Sequence, residues 1–327
     1  MATLTKTKKL TELETLASLK NGNLFAVHDG NGLKSVTAGL LEEYIKSTEI
    51  HNIPRSVPKD ITKYVSDGSL WNRISGTNGY SAYDDIFVGD YIKMSRPISA
   101  YEQTKTQQLT GSQYVTVAGC GSLMSNGDYG QSVSSVNYNH LVMVPGQGFG
   151  GIQHFGRSRM KPTDVTEGGD VGSEMFSTTL GAVATTGFTG ETASINQQLY
   201  AEFGAHLKTT RELLSNAIDK TFYNRYGNAS GASSAWAWTD CQAVLMSEVE
   251  VYGSTIWSSS GYDIGNAKYQ LPLFRFVESA ISNRTAWYWL KAVASAVCFC
   301  IAYSSGIADC SRAGIADGYV RPRFIIA

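Results

Sequence analysis

Charged side chains are scarce in this chain of 327 residues. Asp, Glu, Lys and Arg make up 17% of it, whereas a typical globular protein has about 25%. The 27 basic and 28 acidic side chains nearly cancel, so the formal net charge is -1. Because phosphate binding depends on clustered Lys and Arg, this balance argues against nucleic acid as a partner.

Cysteine is also rare, and its spacing fits neither a disulfide framework nor a zinc site. The five cysteines include no CxxC pair. Cys298 and Cys300 would lie on one face of a strand, either as a metal or redox pair or as small apolar side chains, and we favour the second interpretation. The five histidines are scattered without a metal spacing. We therefore expect no metal and no cofactor, although Asp164, Glu167 and Asp170 could hold calcium or form solvated turns.

Long hydrophobic runs are nearly missing. The N-terminal stretch MATLTKTKKLTELETLASLK has no apolar run after its basic residues, so we expect no secretory signal. The eighteen residues 286–303 contain one charge, Lys291, and reach the lower limit of a membrane span. Ala and Ser dilute this run and no basic flank follows it, so we expect paired buried strands and no membrane insertion.

What is present is enough apolar material for a large core. Hydrophobic residues make up 43% of the chain, and 33 glycines against 7 prolines suggest many turns. Short apolar bursts predict strands within 84–94, 113–119, 139–146 and 241–253. Apolar residues at helical spacings predict one long helix over 196–227. These patterns together predict an α+β fold.

The first fifty residues look like a separate small module. Apolar residues flank Asp29-Gly30-Asn31-Gly32, which predicts a hairpin turn. Thr37 then has the position of a helix N-cap. Because so short a module buries little surface by itself, we expect it to assemble with other chains. We expect a linker over 51–79 and a large domain over 80–327.

The strongest signal is a restricted set of residue types near the C-terminus. Glu, Lys, Gln, Met and Trp together account for 53 of the 327 residues, so four or five of them are expected in the 29 residues from Ala292 to Val320. None occurs there, and Asn is missing as well. If AAC or AAT codons are copied with random replacement at adenine, the third base stays a pyrimidine, and none of those five residue types can arise. The composition therefore suggests randomised codons, although a chance shortage of long side chains would look the same.

Fixed residues around this interval carry a resemblance. The blocks YWLK (288–291) and GYVRP (318–322), together with LLSNAIDKTFYNRYG, VLMSEVEVYG and the glycine-rich stretch 139–176, resemble the formylglycine-generating-enzyme type of C-type lectin fold. With the restricted composition, the chain resembles the variable proteins of diversity-generating retroelements. The resemblance implies a C-type lectin-like domain over 80–327, a variable segment over 288–327, and pairing in the core between the WLR-like and G-x-VRP-like strands.

The resemblance also implies which side chains are fixed and which are diversified. A buried frame would hold the fold, and exposed positions between frame residues would tolerate almost any side chain. The expected frame is Trp289, Leu290, Phe299, Arg321, Pro322, Phe324 and Ile325. The expected diversified, ligand-binding residues are Ala292, Ala294, Ala296, Val297, Ile301, Tyr303, Ser304, Ser305, Ile307, Ala308, Asp309, Ser311, Arg312, Gly314, Ile315 and Asp317. Of these, Tyr303, Asp309, Arg312 and Asp317 would make aromatic and polar contacts, and Ile301, Ile307 and Ile315 apolar ones.

The N-terminal pattern resembles the attachment segments of phage tail fibres, and the whole chain is similar in plan to phage tropism determinants. This implies a non-enzymatic receptor-binding protein on the virion, which acts outside the host cell as a homotrimer. Its partners would be a bacterial cell-surface receptor, either protein or glycan, and phage tail or baseplate proteins at the N-terminus. Two alternatives remain: a bacterial surface adhesin with the same fold, and a formylglycine-generating-type oxidase that uses Cys298 and Cys300.

Overall fold

The computed structural model describes residues 24–28, 33–37, 48–99, 111–123, 136–161, 163–166, 195–217, 235–258, 270–282, 286–295 and 297–327. The chain divides into two compact units, Met1–Ile50 and His51–Ala327. Helices and antiparallel sheets are mixed in the described residues, so the protein is α+β as expected.

The first unit contains the expected hairpin. Strand β1 (Leu24–His28) pairs antiparallel with β2 (Leu33–Thr37), and His28 lies opposite Leu33. This antiparallel pairing confirms the predicted hairpin, and the residues between the strands, 29–32, lie outside the described part of the chain. Thr37 is the last residue of β2, and the helix expected over the following residues to 47 lies outside the described part of the chain. Helix α1 (Thr48–His51) begins after that interval.

The second unit holds the remaining described elements. In chain order they are α2 (Thr62–Ser66), α3 (Ser69–Ser75), β3 (Tyr91–Lys93), β4 (Tyr114–Cys120), β5 (Leu141–Pro145), α4 (Ile195–Phe203), a 3-10 turn (Gly204–His206), β6 (Leu207–Lys208), β7 (Thr210–Ala217), β8 (Ala235–Cys241), β9 (Val244–Leu245), α5 (Glu248–Tyr252), α6 (Pro272–Phe276), a second 3-10 turn (Glu278–Ala280), β10 (Tyr288–Val293), β11 (Cys298–Ala302), β12 (Ala308–Arg312) and β13 (Pro322–Ile326).

Three sheets organise this unit. The largest has the order β3-β4-β5-β13-β6, with β9 also paired to β13. The C-terminal strand β13 thus occupies the middle of the sheet, and all five of its residues are buried. A second sheet has the order β10-β11-β12, and β7 pairs with β8. The strands expected within 84–94, 113–119 and 139–146 and the paired strands within 286–303 are confirmed.

Residues 51–79 do not form the expected linker. They contain α2 and α3, and Ile61, Leu70 and Ile74 are at most 1% exposed in the core of the second unit. Leu70 and Ile74 lie four residues apart, so one face of α3 packs against that core. Pro54 and Pro58 precede these helices, and they suggested a linker because they interrupt the sequence periodicity.

The long helix expected over 196–227 is also wrong in its extent. Helix α4 ends at Phe203, and Gly204 has a positive φ of 56°. From Thr210 the chain runs as strand β7, where Arg211 lies opposite Asp240 of β8. The positive φ stops the helix, and β-branched Thr210 and the cross-strand partners favour extended backbone beyond it. Residues 218–227 lie outside the described part of the chain.

The segment expected as a strand over 241–253 is divided between strand and helix. Val244 and Leu245 form β9, and α5 begins immediately afterwards. Ser247 caps this helix: its side chain accepts a hydrogen bond from the backbone N–H of Glu250, and the Glu250 side chain accepts one from the backbone of Ser247. This reciprocal pair is a capping box, which fixes where the helix starts.

The seven frame residues are buried, as expected. The two frame strands, however, do not form one ladder. β10 belongs to the three-stranded sheet and β13 to the large sheet, and they are linked through a parallel bridge between Tyr288 and Tyr319. There the backbone N–H of Trp289 donates to the carbonyl of Tyr319 at 3.0 Å. None of the helices in the described residues is long and apolar enough to cross a bilayer.

Candidate ligand-binding face

Most of the residues expected to be diversified reach the surface. We use the term candidate face for the twelve that do. Six are exposed (Tyr303, Ser305, Ile307, Arg312, Ile315 and Asp317), and six are half-buried (Val297, Ser304, Ala308, Asp309, Ser311 and Gly314). Ala296 lies outside the described residues. The candidate face therefore follows β12, the turn before it and the loop after it.

Three expected residues do not belong to this face. Ala292 and Ala294 are at most 2% exposed and Ile301 is 3% exposed. All six residues of β10 are buried, so alternate positions on this strand do not face solvent. Ile301 lies on β11, the middle strand of its sheet, and all residues of that strand are buried. Ile301 therefore contributes to the core and is not an apolar contact on the surface.

A tight turn presents one end of the candidate face. The backbone N–H of Tyr303 donates to the carbonyl of Ile307 at 2.9 Å, and that of Gly306 donates to Tyr303 at 2.8 Å. Gly306 has a φ of 88°, which favours glycine. The hydroxyl of Ser282 donates to the carbonyl of Ser304 at 2.7 Å. The turn is thus held through backbone atoms, while the side chains of Tyr303 and Ile307 point into solvent.

The loop after β12 is braced in the same way by residues outside the variable segment. The backbone N–H groups of Met160 and Lys161 both donate to the carbonyl of Ala313 at 3.0 Å. Ser158 donates from its backbone to Gly318 at 3.0 Å. Further along, Phe155 N–H donates to the Val320 carbonyl, and Val320 N–H donates to Gly156. We call residues 154–166 the brace. Nearly all of its hydrogen bonds to the loop join backbone atoms, so they do not involve the side chains of the loop.

One residue of the brace also reaches a variable side chain. Asp164 Oδ1 accepts a hydrogen bond from the backbone N–H of Gly314 at 3.0 Å, and its Oδ2 lies 3.6 Å from Arg312 Nη1. Both side chains of this ion pair are substantially exposed, so it contributes little to stability. Asp164 is therefore engaged by the loop, and the other two candidate calcium ligands, Glu167 and Asp170, lie outside the described residues.

A second contact of the brace forms around Tyr319. The Arg157 guanidinium lies 4.7 Å from the centre of the Tyr319 ring, donates to its hydroxyl at 2.6 Å, and approaches Asp317 at 3.7 Å. His154 also packs against this ring, with ring centres 4.1 Å apart. Burial, with the nearby Arg157 and Arg321 charges, lowers the pKa of His154 to about 4. His154 is therefore neutral at physiological pH and serves as a packing residue.

A fixed loop borders the candidate face beside Ile307 and Ala308. The buried carboxylate of Glu248 accepts hydrogen bonds from three consecutive backbone N–H groups, those of residues 256–258. The loop so held exposes Ile256 and directs Trp257 Nε1 to the carbonyl of Ala308 at 3.2 Å. Sequence reasoning missed this loop and the brace because neither has a local motif. Glu248 holds its loop across eight to ten residues, and the brace contacts residues far along the chain.

The core of the second unit contains a buried network of charges. Arg323 on β13 donates from Nε to Glu250 at 2.6 Å and from Nη2 to Glu212 at 2.8 Å. Lys291 on β10 lies 3.2 Å from the other oxygen of Glu212. Burial alone would raise the pKa of Glu212, but the charges of Arg323 and Lys291 outweigh it and lower that pKa to about 2. These four side chains carry balanced charge and connect β7, α5, β10 and β13.

The arrangement therefore offers exposed aromatic, aliphatic and charged groups on a fixed backbone, which suits binding. Cys298 and Cys300 are at most 1% exposed. Within the described residues, no group of three or more His, Cys, Asp or Glu side chains is placed to hold a metal ion. Comparison with protein families, curated proteins and solved structures gave no match to the chain.

Proposed function

We propose that this protein is the receptor-binding protein of a phage tail fibre, and that its C-type lectin-like domain presents a hypervariable face generated by a diversity-generating retroelement. In this proposal the chain resembles the phage major tropism determinant in plan. The N-terminal unit attaches to tail or baseplate proteins, and the candidate face binds a molecule on the bacterial surface.

One observation carries the proposal: within residues 303–317 the backbone is held by residues outside the restricted interval, while most side chains are exposed or half-buried. Met160, Lys161 and Ser158 bond to carbonyls of this interval, and Ser282 and Trp257 do the same at its other end. Bonds to backbone atoms do not depend on side-chain identity. Such a segment can change its side chains at little cost to folding, which is what diversification requires.

The side chains now present favour a binding role. Tyr303, Ile307 and Ile315 are each at least 40% exposed, and Arg312 and Asp317 stand among them as exposed charges. Tyr and Arg are residue types that dominate binding energy at interfaces. A buried frame beneath them supplies the rigid support that a binding site needs.

The binding test uses purified protein and envelope extracts of candidate host bacteria. Tyr303→Ala is compared with Tyr200→Ala, because both tyrosines are 43% exposed and Tyr200 lies on α4, outside the variable segment. We expect Tyr303→Ala to reduce capture of envelope material at least tenfold and Tyr200→Ala to leave it unchanged, with equal thermal unfolding midpoints. Equal capture by both variants would contradict a binding role for this face.

The origin of the variability is tested on the neighbouring DNA. We expect a reverse transcriptase gene and a near-copy of the last coding stretch that differs from it at adenines. A genome without either would rule out diversification. Purified virions separate the phage protein from a bacterial surface adhesin, because the adhesin would be absent from the particles.

A further inference from the structure

Two exposed aliphatic residues outside the restricted interval lie at the two ends of β12. Ile256 belongs to the loop held by Glu248 and is 52% exposed, and Val165 belongs to the brace and is 46% exposed. A single exposed aliphatic side chain needs no explanation. These two, however, lie in segments that are hydrogen-bonded to the restricted interval itself, so their positions relative to the candidate face are fixed.

Ile256 lies at the end of β12 that begins with Ala308. Three backbone N–H groups of its loop donate to the buried carboxylate of Glu248 at 2.8–3.1 Å, which fixes the loop. The next residue, Trp257, donates from Nε1 to the carbonyl of Ala308 at 3.2 Å. Ile307 directly precedes Ala308 and is 60% exposed. This end of β12 therefore carries one fixed and one variable aliphatic side chain.

Val165 lies at the other end of β12, beside the loop that follows the strand. Both of its chain neighbours bond to the restricted interval. Asp164 accepts a hydrogen bond from the backbone of the loop at 3.0 Å, and the Thr166 hydroxyl donates to the carbonyl of Ser295 at 2.9 Å. Ile315 in the same loop is 40% exposed. A fixed and a variable aliphatic side chain thus lie at this end as well.

Exposed charges accompany these two aliphatic pairs. The side chains of Arg312, at the end of β12, and of Asp317, in the loop after it, are 67% and 69% exposed. A strand of five residues is about 13 Å long, so one sugar ring cannot contact both pairs. Aliphatic side chains also offer a sugar no flat ring for stacking and no hydrogen bond. Apolar contacts with charges around them are instead typical of protein–protein interfaces.

We propose that Ile256 and Val165 are constant contact residues of the candidate face, and that its partner is a protein. The partner surface has an apolar patch, an acidic group opposite Arg312 and a basic group opposite Asp317. The proposal rests on the proposed function and names the class of receptor, which the resemblance leaves open between protein and glycan. Because both contact residues lie outside the interval Ala292–Val320, every diversified copy keeps them while its variable side chains change.

Capture of envelope extracts by the full-length protein tests the constant contacts. Ile256→Ser and Val165→Ser are compared with Ile152→Ser, because Ile152 is 49% exposed and precedes the brace. We expect each of the first two variants to reduce capture about fivefold and Ile152→Ser to leave it unchanged, with equal thermal unfolding midpoints. If Tyr303→Ala reduces capture and the first two serine variants do not, the constant contacts are wrong and the proposed function stands.

Treatment of the extract separates a protein receptor from a glycan. One portion is digested with proteinase K, which leaves glycans in place, and another is oxidised with mild periodate, which cleaves sugar diols. We expect capture by the wild-type protein to be abolished by the proteinase and kept after periodate. Capture that survives the proteinase, or that is lost after periodate, would overturn the protein receptor. No capture from any untreated extract would contradict the proposed function as well.

Discussion

Glu212 shows how a single buried carboxylate connects distant parts of the fold. It is fully buried between Arg323 and Lys291, which are also buried. Removing one member of a buried ion pair leaves an uncompensated charge, which costs about 3–5 kcal/mol. We therefore expect Glu212→Gln to lower the free energy of unfolding by about this amount at neutral pH, and the exposed Glu278→Gln to change it by less than about 0.5 kcal/mol.

The sign of the pH dependence follows from the lowered pKa of Glu212. Its pKa falls from the ordinary 4.5 to about 2 in the folded protein, so its contribution is complete above pH 4.5 and is lost as the pH falls towards 2. Denaturant unfolding of the wild type and of Glu212→Gln at pH 7 and at pH 3 measures this contribution to the free energy of unfolding. We expect the difference between wild type and Glu212→Gln to shrink at pH 3; an unchanged difference would mean that the carboxylate is not held by its charged partners.

A second prediction for a single residue concerns His140 and the pH dependence of stability. Its Nδ1 donates to the carbonyl of Tyr138 at 2.9 Å, and its Nε2 accepts from the backbone N–H of Leu123 at 3.1 Å. Burial, with a smaller contribution from the positive charge of Arg323, lowers its pKa from 6.5 to about 4 and outweighs the hydrogen bond to Tyr138, which raises it. The stability contributed by neutral His140 is therefore present above pH 6.5 and is lost between pH 6.5 and 4.

Thermal or denaturant unfolding across that interval tests the assignment. Wild type should lose up to about 1.4 kcal/mol of unfolding free energy for each pH unit through this group. His140→Gln, which does not titrate, should begin less stable at pH 7 and show a shallower slope. Parallel curves for the two proteins would show that His140 already titrates at its ordinary pKa.

At the scale of elements, the end of β10 belongs to the core, whereas the turn after β11 belongs to the candidate face. Ala294 directly follows β10 and is fully buried, whereas Ser305 is exposed in the turn between β11 and β12. Burying an isolated carboxylate is among the most costly substitutions. We expect Ala294→Asp to destabilise the protein by more than about 4 kcal/mol or to prevent folding, and Ser305→Asp to stay within about 0.5 kcal/mol of wild type.

Soluble yield and the thermal unfolding midpoint measure this contrast. Near-equal unfolding midpoints for the two variants would mean that Ala294 lies on the surface, and it would then belong to the ligand-binding face as expected from the sequence. A large loss with Ser305→Asp would mean that the turn does not tolerate change, which would count against diversification there.

Local sequence patterns predicted the elements whose partners lie nearby in the chain. The β1–β2 hairpin was predictable from Asp29-Gly30-Asn31-Gly32, because the turn chemistry and the flanking apolar residues agree. The paired strands within 286–303 were predictable because Ala and Ser dilute an apolar run that barely reaches the length of a membrane span and has no basic flank after it. The helix over 196–227 was not, since its apolar spacing is compatible with both periods, and the positive φ at Gly204 and pairing with β8 decided the outcome.

The candidate site was predictable in part. The restricted composition identified its interval, and the buried frame followed from the resemblance. Which side chains face solvent depended on the neighbours of each strand: Ala292 is buried within β10, and Ala294, the residue after it, is buried as well. The brace could not be predicted, because it contacts residues about 150 positions away, and the loop held by Glu248 could not, because no local motif marks its hydrogen bonds.

At the scale of the whole molecule, the chain divides into two units of very different size, and the last prediction rests on the small size of the first. The first unit has 50 residues and the second has 277. So short a segment buries too little apolar surface to be stable without partners, and association of identical chains would supply the missing burial. We therefore expect the full-length chain to self-associate, and the resemblance to phage tropism determinants favours a homotrimer with three times its mass of 35.4 kDa.

Light scattering of the full-length protein at micromolar concentration measures this mass directly. Dilution distinguishes a constitutive trimer, whose mass stays constant, from weak association, whose mass falls towards that of one chain. A Phe25→Asp variant places a charge on β1 of the hairpin. We expect it to shift the mass towards that of one chain, 35.4 kDa. The control is Val57→Asp in the second unit, where Val57 is 74% exposed, and we expect this variant to keep the wild-type mass. A wild-type monomer, or equal masses for both variants, would assign no assembly role to the first unit.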